Sequence, residues 1–329
     1  MRRALTVPGF IGAFVLGCIS LPFLLPVTLL YDGLRRNHFA VTRATVFGVY
    51  YFGCETAGIL ASIALWLMGR ARDVDAHYRL QWWWASALLG GVRVLFGFRL
   101  KVEGDDVVPS GDGPFLLLIR HVSVADTVLA AVYLSARHGH RLRYVLKREL
   151  LWDPCLDIVG HRVPNCFVHR GAQTSGPEIE RVKSLARNLG PRDGVLIYPE
   201  GTRFTPEKRE AVLRRFVETD QVAQADRARS LRHVLPPRNG GTLGLLEEAP
   251  DADVVICAHH GLEGTMRMTD LVSGILVGAT VHVAFWRIPA GTIPKGREAQ
   301  AAWLFDTWSA VDRWVGEKTQ PNPTAATVD

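Results

Sequence analysis

The sequence predicts an α/β fold, with a mixed, mostly parallel central sheet flanked by helices and an N-terminal membrane-embedded helical hairpin. Two observations lead to this prediction. Beyond residue 100, apolar runs of strand length alternate with longer segments of helical pattern, which is typical of a parallel sheet with crossover helices. Before residue 70, two apolar runs are each long enough to cross the roughly 30 Å apolar core of a bilayer.

The first element is the hairpin, predicted over residues 1–78. Its apolar runs cover Val7–Tyr31 and Ala44–Met68, and a polar, basic segment joins them, so both ends are expected on the same side of the membrane. A cleaved signal peptide is the alternative, because Arg2 and Arg3 precede the first run. The apolar stretch continues well beyond signal-peptide length, however, and a second run follows it.

Two features leave the depth of the hairpin open. Pro22 and Pro26 are expected to interrupt the first helix, so two full spans and a hairpin that re-enters one leaflet both fit the sequence. Glu55 lies in the second run, where an ionisable group marks either a functional position or a packed carboxyl at shallow depth. The distribution of basic residues favours a C-terminal domain on the cytoplasmic face.

An interfacial helix is predicted over residues 79–98. Trp82, Trp83 and Trp84 are adjacent there, arginines flank the segment, and tryptophan prefers the membrane–water boundary. A core helix of the following domain is the alternative. That domain is expected over residues 99–316, followed by a disordered tail over 317–329.

Six strands and three helices are predicted between residues 114 and 288. The strands are the apolar runs at 114–119, 143–147, 165–170, 194–201, 252–259 and 277–288. The helices cover 127–136, 177–189 and 241–248, and a further C-terminal helix presents one apolar stripe of Leu304, Trp308, Val311 and Val315. Ligands of such sheets bind beyond the carboxyl ends of the strands, so polar residues there are candidates for a site.

Charge and cysteine content restrict the class of partner. The formal net charge is +6 and the pI is near 9.2, which suits nucleic acid, a phosphate-bearing molecule or an acidic membrane face. The sequence contains no recognisable nucleic-acid-binding motif, so no nucleic-acid partner is expected. The five cysteines show neither CxxC pairs nor zinc-ligand spacing, so we expect neither a disulfide framework nor a metal site. No cofactor is expected either.

His121 ends the first of these strands, in the stretch FLLLIRHVSVADTV, and Asp126 follows five residues later in the first turn of a helix. By itself, this pair could be a surface loop with two polar residues. A carboxylate at this spacing can also fix the imidazole tautomer and make the histidine a general base for a hydroxyl. Because Ser123 is in no GxSxG context, the activated hydroxyl is expected to belong to the substrate.

The fourth strand ends in YPEGTR, where a tight turn follows the strand. Gly201 lets the backbone approach a ligand closely, and Arg203 offers a forked donor that suits a phosphate. Taken alone, this turn could equally carry a solvated arginine.

Together these stretches resemble a known family. RHVSVAD is similar to the His-x4-Asp signature of the glycerophospholipid acyltransferases, the lysophosphatidic acid acyltransferase family, and YPEGTR is similar to that family's phosphate-binding motif. GHRVPNCFVHR, with Phe167 and Arg170, resembles the motif between them, and VLKREL, with Lys147, resembles a segment that supplies a lysine. The resemblance covers residues 95–290, and the order of four motifs makes it specific.

The resemblance implies a membrane-bound enzyme like 1-acylglycerol-3-phosphate O-acyltransferase, with residues 99–316 as the acyltransferase domain. His121 would be the base and Asp126 its orienting partner. The residues expected around the substrate phosphate are Lys147, Arg170, Glu200, Gly201, Thr202 and Arg203. Acyl-CoA or acyl-carrier protein would be the co-substrate, and the partners would be a lysophospholipid, the acyl donor and membrane lipids.

Alternatives to this reaction remain open. They are a transacylase or acyltransferase for another lysophospholipid and, in a different class, a non-catalytic membrane lipid-binding protein. Acyl-chain length, acceptor headgroup and oligomeric state are not specified by the sequence.

Three departures from the family pattern stand out. Arg120 replaces the asparagine that often precedes the histidine, and VVICAHHG replaces the expected Val-Pro acyl-chain motif. HHGLEG partly mimics the HHxxxDG motif of an unrelated acyltransferase class, but it is one residue short and has Glu263 in place of aspartate. His259 and His260 are therefore expected to be structural or to line the substrate site.

Overall fold

The computed structural model describes residues 2–109, 111–123, 125–168, 176–265 and 267–319. Within these ranges the helices are α1 (Arg2–Arg35), α2 (Ala40–Leu67), α3 (Val74–Phe96), α4 (Asp126–Ala130), α5 (Pro154–Gly160), α6 (Gly176–Lys183), α7 (Pro206–Glu218), α8 (Val222–Arg229), α9 (Asn239–Glu248) and α10 (Arg297–Thr319). The strands are β1 (Arg99–Glu103), β2 (Phe115–Ile119), β3 (Arg141–Lys147), β4 (Cys166–Val168), β5 (Asp193–Ile197), β6 (Asp253–His260) and β7 (Thr280–Ile288). Helix α4 continues as one π-helical stretch over Ala131–Ala136.

The strands form one sheet in the order β1-β7-β6-β2-β5-β3-β4. Five neighbouring strands, from β6 to β4, are parallel, whereas β7 is antiparallel to β6 and β1 runs parallel to β7. The predicted mixed, mostly parallel sheet is therefore confirmed. The carboxyl ends of β2, β3, β5 and β6 meet at one edge, and this edge positions the candidate site.

The core lies on both faces of the sheet. Strand β2 is in its middle, with Phe115, Leu117 and Ile119 in the cluster on one face and Leu116 and Leu118 in the cluster on the other. All five side chains are fully buried. This two-sided burial explains why the strand reads as a continuous apolar run instead of an alternating pattern.

A strand or helix lies at each of the nine predicted places, although β5 and α6 end earlier than predicted and residues 169–170 of the strand predicted over 165–170 lie outside the described residues. Several other elements were not predicted. Strand β1 has the sequence RLKVE and alternates exposed with partly buried residues at the edge of the sheet, so its apolar signal is weak. Helices α5, α7 and α8 were also missed, and α7 has no buried residue. The apolar stripe of α10 packs on the sheet.

Helix α10 ends later than expected. It continues to Thr319, so the first three residues of the segment predicted as a disordered tail are helical. Val315 is the last buried residue of this helix. Residues 320–329 lie outside the described part of the chain.

The hairpin consists of α1 and α2. The expectation that Pro22 and Pro26 interrupt the first helix is wrong, since α1 is continuous from Arg2 to Arg35. Each proline removes one backbone donor, and packing along α2 maintains the helix. At the turn, the buried carboxylate of Asp32 accepts hydrogen bonds from the backbone N–H (2.7 Å) and hydroxyl (2.6 Å) of Thr42, which caps the start of α2.

Helix α2 lies against the α/β domain at both ends and in its middle. At the turn, Asn37 is close enough to Gly274 that a Cβ on this glycine would lie 3.5 Å from the Asn37 carbonyl oxygen. In the middle, the Tyr51 hydroxyl donates to Asp153 Oδ2 at 2.8 Å, and near the far end Arg162 donates to the Ser62 carbonyl at 3.3 Å. The hairpin therefore lies along the domain instead of projecting from it.

Glu55 joins three helices at this interface. One carboxylate oxygen accepts the Trp84 indole N–H of α3 at 2.7 Å, and the other accepts the Cys155 backbone N–H of α5 at 3.3 Å. Glu55 is thus a fully buried carboxyl with packed partners. Helix α3, predicted over 79–98, begins at Val74; it buries one face in the core and leaves Trp83 46% exposed, so its position at a membrane boundary stays a prediction.

Candidate active site

The structure brings His121 and Asp126 together beyond the end of β2. His121 Nδ1 lies 2.9 Å from Asp126 Oδ2, and the same carboxylate accepts the backbone N–H groups of Val122 (2.8 Å) and Ser123 (3.0 Å). These donors hold the carboxylate in place at the start of α4. Because Asp126 engages Nδ1, the tautomer with hydrogen on Nδ1 is favoured and Nε2 is the nitrogen that can accept a proton.

Burial and charge tune both members of the pair. Burial lowers the pKa of His121 below its ordinary value, and the contact with Asp126 opposes this shift only in part. Burial would raise the pKa of Asp126, but His259, His121 and backbone donors outweigh it and hold the pKa below its ordinary value. At neutral pH the pair is therefore a neutral imidazole beside a carboxylate, which is the state that a general base requires.

The ring of Tyr198 contacts one face of the His121 imidazole. The two rings are stacked, and the Tyr198 hydroxyl is hydrogen-bonded to Thr127 Oγ1 at 2.6 Å. The backbone carbonyl of His121 also accepts the N–H of Phe204 at 2.7 Å. Strand β2 and the turn after β5 are thus tied together directly beneath the His121 side chain.

Glu200 is buried and stabilises the backbone. Its two carboxylate oxygens accept the N–H of His121 at 2.9 Å and that of Leu235 at 2.8 Å. Burial raises the pKa of Glu200 to about 8, although these backbone donors act in the opposite direction. Gly201, with φ +67°, makes the left-handed turn that follows, and Lys208 donates to Thr202 Oγ1 at 3.1 Å.

A cavity of about 240 Å³ lies beside His121. Three cationic side chains line it: Lys147 from the end of β3, Arg203 from the turn after β5, and Arg238 from the residue before α9. Apolar side chains line much of the remainder, namely Val145, Leu146, Leu150, Ile179, Val182 and Ile197. The arrangement can bind an anionic group and an apolar chain next to a base.

Of the predicted phosphate-binding residues, Lys147, Gly201 and Arg203 line this cavity with His121. Glu200 and Thr202 contact the surrounding protein as described above and are not among the lining residues. Arg170 lies outside the described residues.

Arg238 was not identified from the sequence as a site residue. The stretch LPPRNGG is similar to longer members of the family, but that similarity assigns Arg238 no role. In the structure, the Arg238 backbone N–H binds the Pro199 carbonyl at 2.8 Å, next to the cavity.

Arg120, the first departure from the family pattern, is a buried structural residue. Its guanidinium donates to the carbonyls of His259 (2.7 Å) and His233 (2.8 Å) and pairs with Glu263. His259 is fully buried: its Nε2 bonds the Arg120 carbonyl at 2.8 Å and lies 3.5 Å from Asp126 Oδ1. HHGLEG thus supports His121 and Asp126 from behind, and none of its residues lines the cavity.

Comparisons with known proteins agree with these motifs. A family model described as Acyltransferase matches residues 99–257, the segment that contains His121, Asp126, Lys147 and Glu200–Arg203. The chain is 26% identical over 234 residues to 1-acyl-sn-glycerol-3-phosphate acyltransferase epsilon of Mus musculus, covering 67% of this chain and 62% of that protein. It is 23% identical over 238 residues to lysophosphatidylinositol acyltransferase 10 of Caenorhabditis elegans, covering 69% and 58%.

The aligned region therefore spans about three fifths of the length of these relatives. Among solved structures, the 1-acyl-sn-glycerophosphate acyltransferase PlsC from Thermotoga maritima aligns with a TM-score of 0.48 at 12% identity, covering 98% of this chain and 99% of that one. The matched segment and the motifs within it confirm the resemblance of this chain to the glycerophospholipid acyltransferase family.

Proposed function

We propose that this protein transfers a fatty acyl group from a thioester donor, acyl-CoA or acyl-carrier protein, to the free hydroxyl of lysophosphatidic acid, forming phosphatidic acid. The observation that carries the proposal is the position of His121, held by Asp126, in the same cavity as Lys147 and Arg203. A hydroxyl beside the base and a phosphate beside the cations fit this acceptor. The names of both curated relatives support an acceptor of the lysophospholipid class.

The reaction is a single displacement. His121 Nε2 removes the proton from the acceptor hydroxyl while the oxygen attacks the thioester carbonyl carbon. The tetrahedral intermediate collapses with cleavage of the carbon–sulfur bond, and the imidazolium returns its proton to the departing thiolate. The products are an ester and a free thiol, and no cofactor enters the balance. Asp126 stabilises the transient imidazolium.

Lys147 and Arg203 position the acceptor. Charge-assisted bonds to its phosphate orient the hydroxyl toward His121, and this orientation supplies much of the rate. Glu200 contributes indirectly, since it holds the His121 backbone. The apolar part of the cavity suits the first carbons of a fatty acyl chain.

We further propose that α1 and α2 form a hairpin that re-enters one leaflet, with the acyltransferase domain on the cytoplasmic face. Both helices are long and apolar enough to cross a membrane. Two full spans would place the turn on the far side of the bilayer, but Asn37 in the turn lies beside Gly274 of the domain. Leu150 and Trp152, next to the cavity, are 38% and 58% exposed and suit an entry side facing lipid.

Side-specific labelling tests the topology. In a Cys18→Ser background, a maleimide reagent that cannot cross membranes would be applied to sealed vesicles containing Arg35→Cys, at the turn, or Lys295→Cys, in the domain. A re-entrant hairpin predicts that both cysteines are modified from the same side. Modification from opposite sides would show two full spans.

The activity test uses the full chain in lipid nanodiscs with a panel of acceptors and donors. We expect acyl transfer from acyl-CoA to lysophosphatidic acid, its loss in His121→Ala and its retention in His260→Ala. Activity retained in His121→Ala but lost in His260→Ala would reject the assignment of the base.

Two alternatives are distinguished by the same panel. Faster turnover of lysophosphatidylinositol than of lysophosphatidic acid would favour another lysophospholipid, as the name of the Caenorhabditis elegans relative suggests. Acceptor binding without turnover of any donor, including a phospholipid donor for transacylation, would favour a non-catalytic lipid-binding protein.

A further inference from the structure

The start of helix α9 forms part of the cavity wall. Arg238 is its N-cap residue and is fixed by the bond from its N–H to the Pro199 carbonyl, 2.8 Å long, which ties it to the turn after β5. Gly241 and Thr242, in the first turn, also line the cavity. A side chain at position 241 would collide with Ile197, whose Cδ1 would lie 2.9 Å from the added Cβ, so glycine lets the helix approach β5.

This helix start has hydrogen-bonding capacity that the described residues do not meet. The backbone N–H groups of the first turn, from Asn239 to Gly241, have no helical acceptor, and no side chain caps them. Thr242 is only 1% exposed, and its hydroxyl has no hydrogen-bond partner among the residues that the structure describes. Because this hydroxyl lies on a cavity wall, a ligand in the cavity can supply its missing hydrogen-bond partner.

Positive charge is concentrated at the same place. Within the described part of the chain, the Arg238 side chain makes no hydrogen bond or ion pair with another residue. Desolvation and the neighbouring Arg215 lower the pKa of Arg238, and the acidic residue that lines the same cavity among the described residues is Glu149. Backbone N–H groups at a helix start, a hydroxyl and an arginine together match the oxygens of a phosphate group.

We propose that Arg238, Thr242 and the first turn of α9 form a subsite, a second set of phosphate-binding groups in this cavity, in addition to Lys147 and Arg203. Its ligand is a phosphate group of one of the two reactants, either the phosphomonoester of the acceptor or a phosphate of a coenzyme A donor. The proposal rests on the proposed acyl transfer, in which both reactants can carry phosphate. It assigns a specificity role to a residue outside the four motifs.

Kinetics of Arg238→Gln distinguish the two sources. We would measure KM for lysophosphatidic acid against monoacylglycerol, and for acyl-CoA against the acyl thioester of N-acetylcysteamine, which has no phosphate. Loss of one charge-assisted contact should raise KM about tenfold for a phosphate-bearing reactant and leave its phosphate-free analogue within about twofold. A rise for lysophosphatidic acid identifies the acceptor, and a rise for acyl-CoA identifies the donor.

The matched control is Arg214→Gln, which removes one positive charge from α7 and should leave all four KM values unchanged. If Arg238→Gln affects the phosphate-free analogues as strongly as the phosphate-bearing reactants, or affects none of them, the subsite is rejected.

Thr242→Val separates ligand binding from a structural role. Removing a buried hydroxyl without a protein partner should leave the thermal unfolding midpoint unchanged or higher, while KM for the same phosphate-bearing reactant rises about threefold or more. A lower midpoint with unchanged KM would assign the hydroxyl to folding and contradict its role in the subsite.

Equilibrium binding separates this proposal from the proposed reaction. In nanodiscs containing the His121→Ala protein, binding of lysophosphatidic acid would be compared with monoacylglycerol, and binding of coenzyme A with pantetheine. Phosphate-dependent binding that is lost on adding Arg238→Gln supports the subsite even if no variant shows turnover. Turnover by the wild type without any phosphate-dependent binding at Arg238 would retain the reaction and overturn the subsite.

Discussion

The imidazole of His121 and the phenol ring of Tyr198 are stacked, with ring centroids 4.1 Å apart and planes inclined by 28°. The Tyr198 hydroxyl is held by Thr127, which follows Asp126 in α4. His121, the proposed base, therefore has two supports that originate in the same helix, one through its Nδ1 and one through its ring face.

Replacing Tyr198 should separate these supports. We expect Tyr198→Phe to retain the stack and lose only the hydroxyl bond, with kcat reduced less than about fivefold. Tyr198→Leu removes the flat surface that orients the base, so kcat should fall about tenfold or more while KM for both substrates changes little. Equal kinetics of the two variants would contradict a role for the stack.

The pH profile should report on His121. A general base acts in its neutral form, so kcat/KM falls as pH drops through the pKa of His121. Because burial lowers this pKa, the acid limb should have its midpoint below the ordinary histidine value of about 6.5. Asp126 raises the same pKa, so Asp126→Asn should move the limb to still lower pH and reduce kcat by about a hundredfold or more. A limb that moves upward would show that Asp126 does not stabilise the imidazolium.

Arg203→Ala should weaken binding of the acceptor more than binding of the donor. Loss of a charge-assisted contact to phosphate is expected to raise KM for lysophosphatidic acid about tenfold, with a smaller effect on KM for acyl-CoA. Thr202→Ala, which alters the same turn away from the cavity, is the matched control. Equal effects of Arg203→Ala on both substrates would indicate that the arginine is structural.

The hairpin should influence catalysis through the segment that follows Lys147. Asp153 accepts the Tyr51 hydroxyl at 2.8 Å and caps α5 through the Leu156 N–H at 2.9 Å, only six residues after Lys147. Glu55 accepts hydrogen bonds from the Trp84 indole N–H and the Cys155 backbone N–H. Glu55→Gln would place an amide NH2 against one of these donors, so it should lower the free energy of unfolding by about 1–3 kcal/mol. We expect the same substitution to shift the segment between Lys147 and Cys155. A displaced Lys147 would hold the acceptor phosphate less well, so KM for the acceptor should rise.

The control for the hairpin is Leu60→Ala, at an exposed position of α2. It should change neither chemical denaturation nor KM in detergent. Unchanged stability and kinetics in Glu55→Gln would show that the hairpin and the cavity are independent.

Local sequence was sufficient for one half of the candidate site. His121 and Asp126 are five residues apart, so a strand end and the next helix start bring them together whatever the rest of the fold does. Arg203 was also predictable, because it follows a buried strand whose carboxyl end lies beside that of β2, whereas Lys147, the last residue of β3, was predicted from the family resemblance.

The other half depends on contacts between residues far apart in the chain. Arg120 bonds His259 and Glu263, which are 139 and 143 residues away, so its role as a structural centre leaves no local pattern. Arg238 is similar, since its place in the cavity depends on the path of the chain after α8. The continuous α1 was missed because proline lowers helix propensity locally, whereas packing against α2 acts along the whole helix.

The reversed direction of β7 offers a route to engineering. Because β7 runs against its neighbour, the loop after it returns to the amino end of β6, where the Ala290 N–H binds Asp253. That point is a strand length, roughly 25 Å, from the end of β6 behind the base. An epitope inserted between the exposed Lys295 and Gly296 would therefore allow capture and imaging of the enzyme without obstructing either reactant.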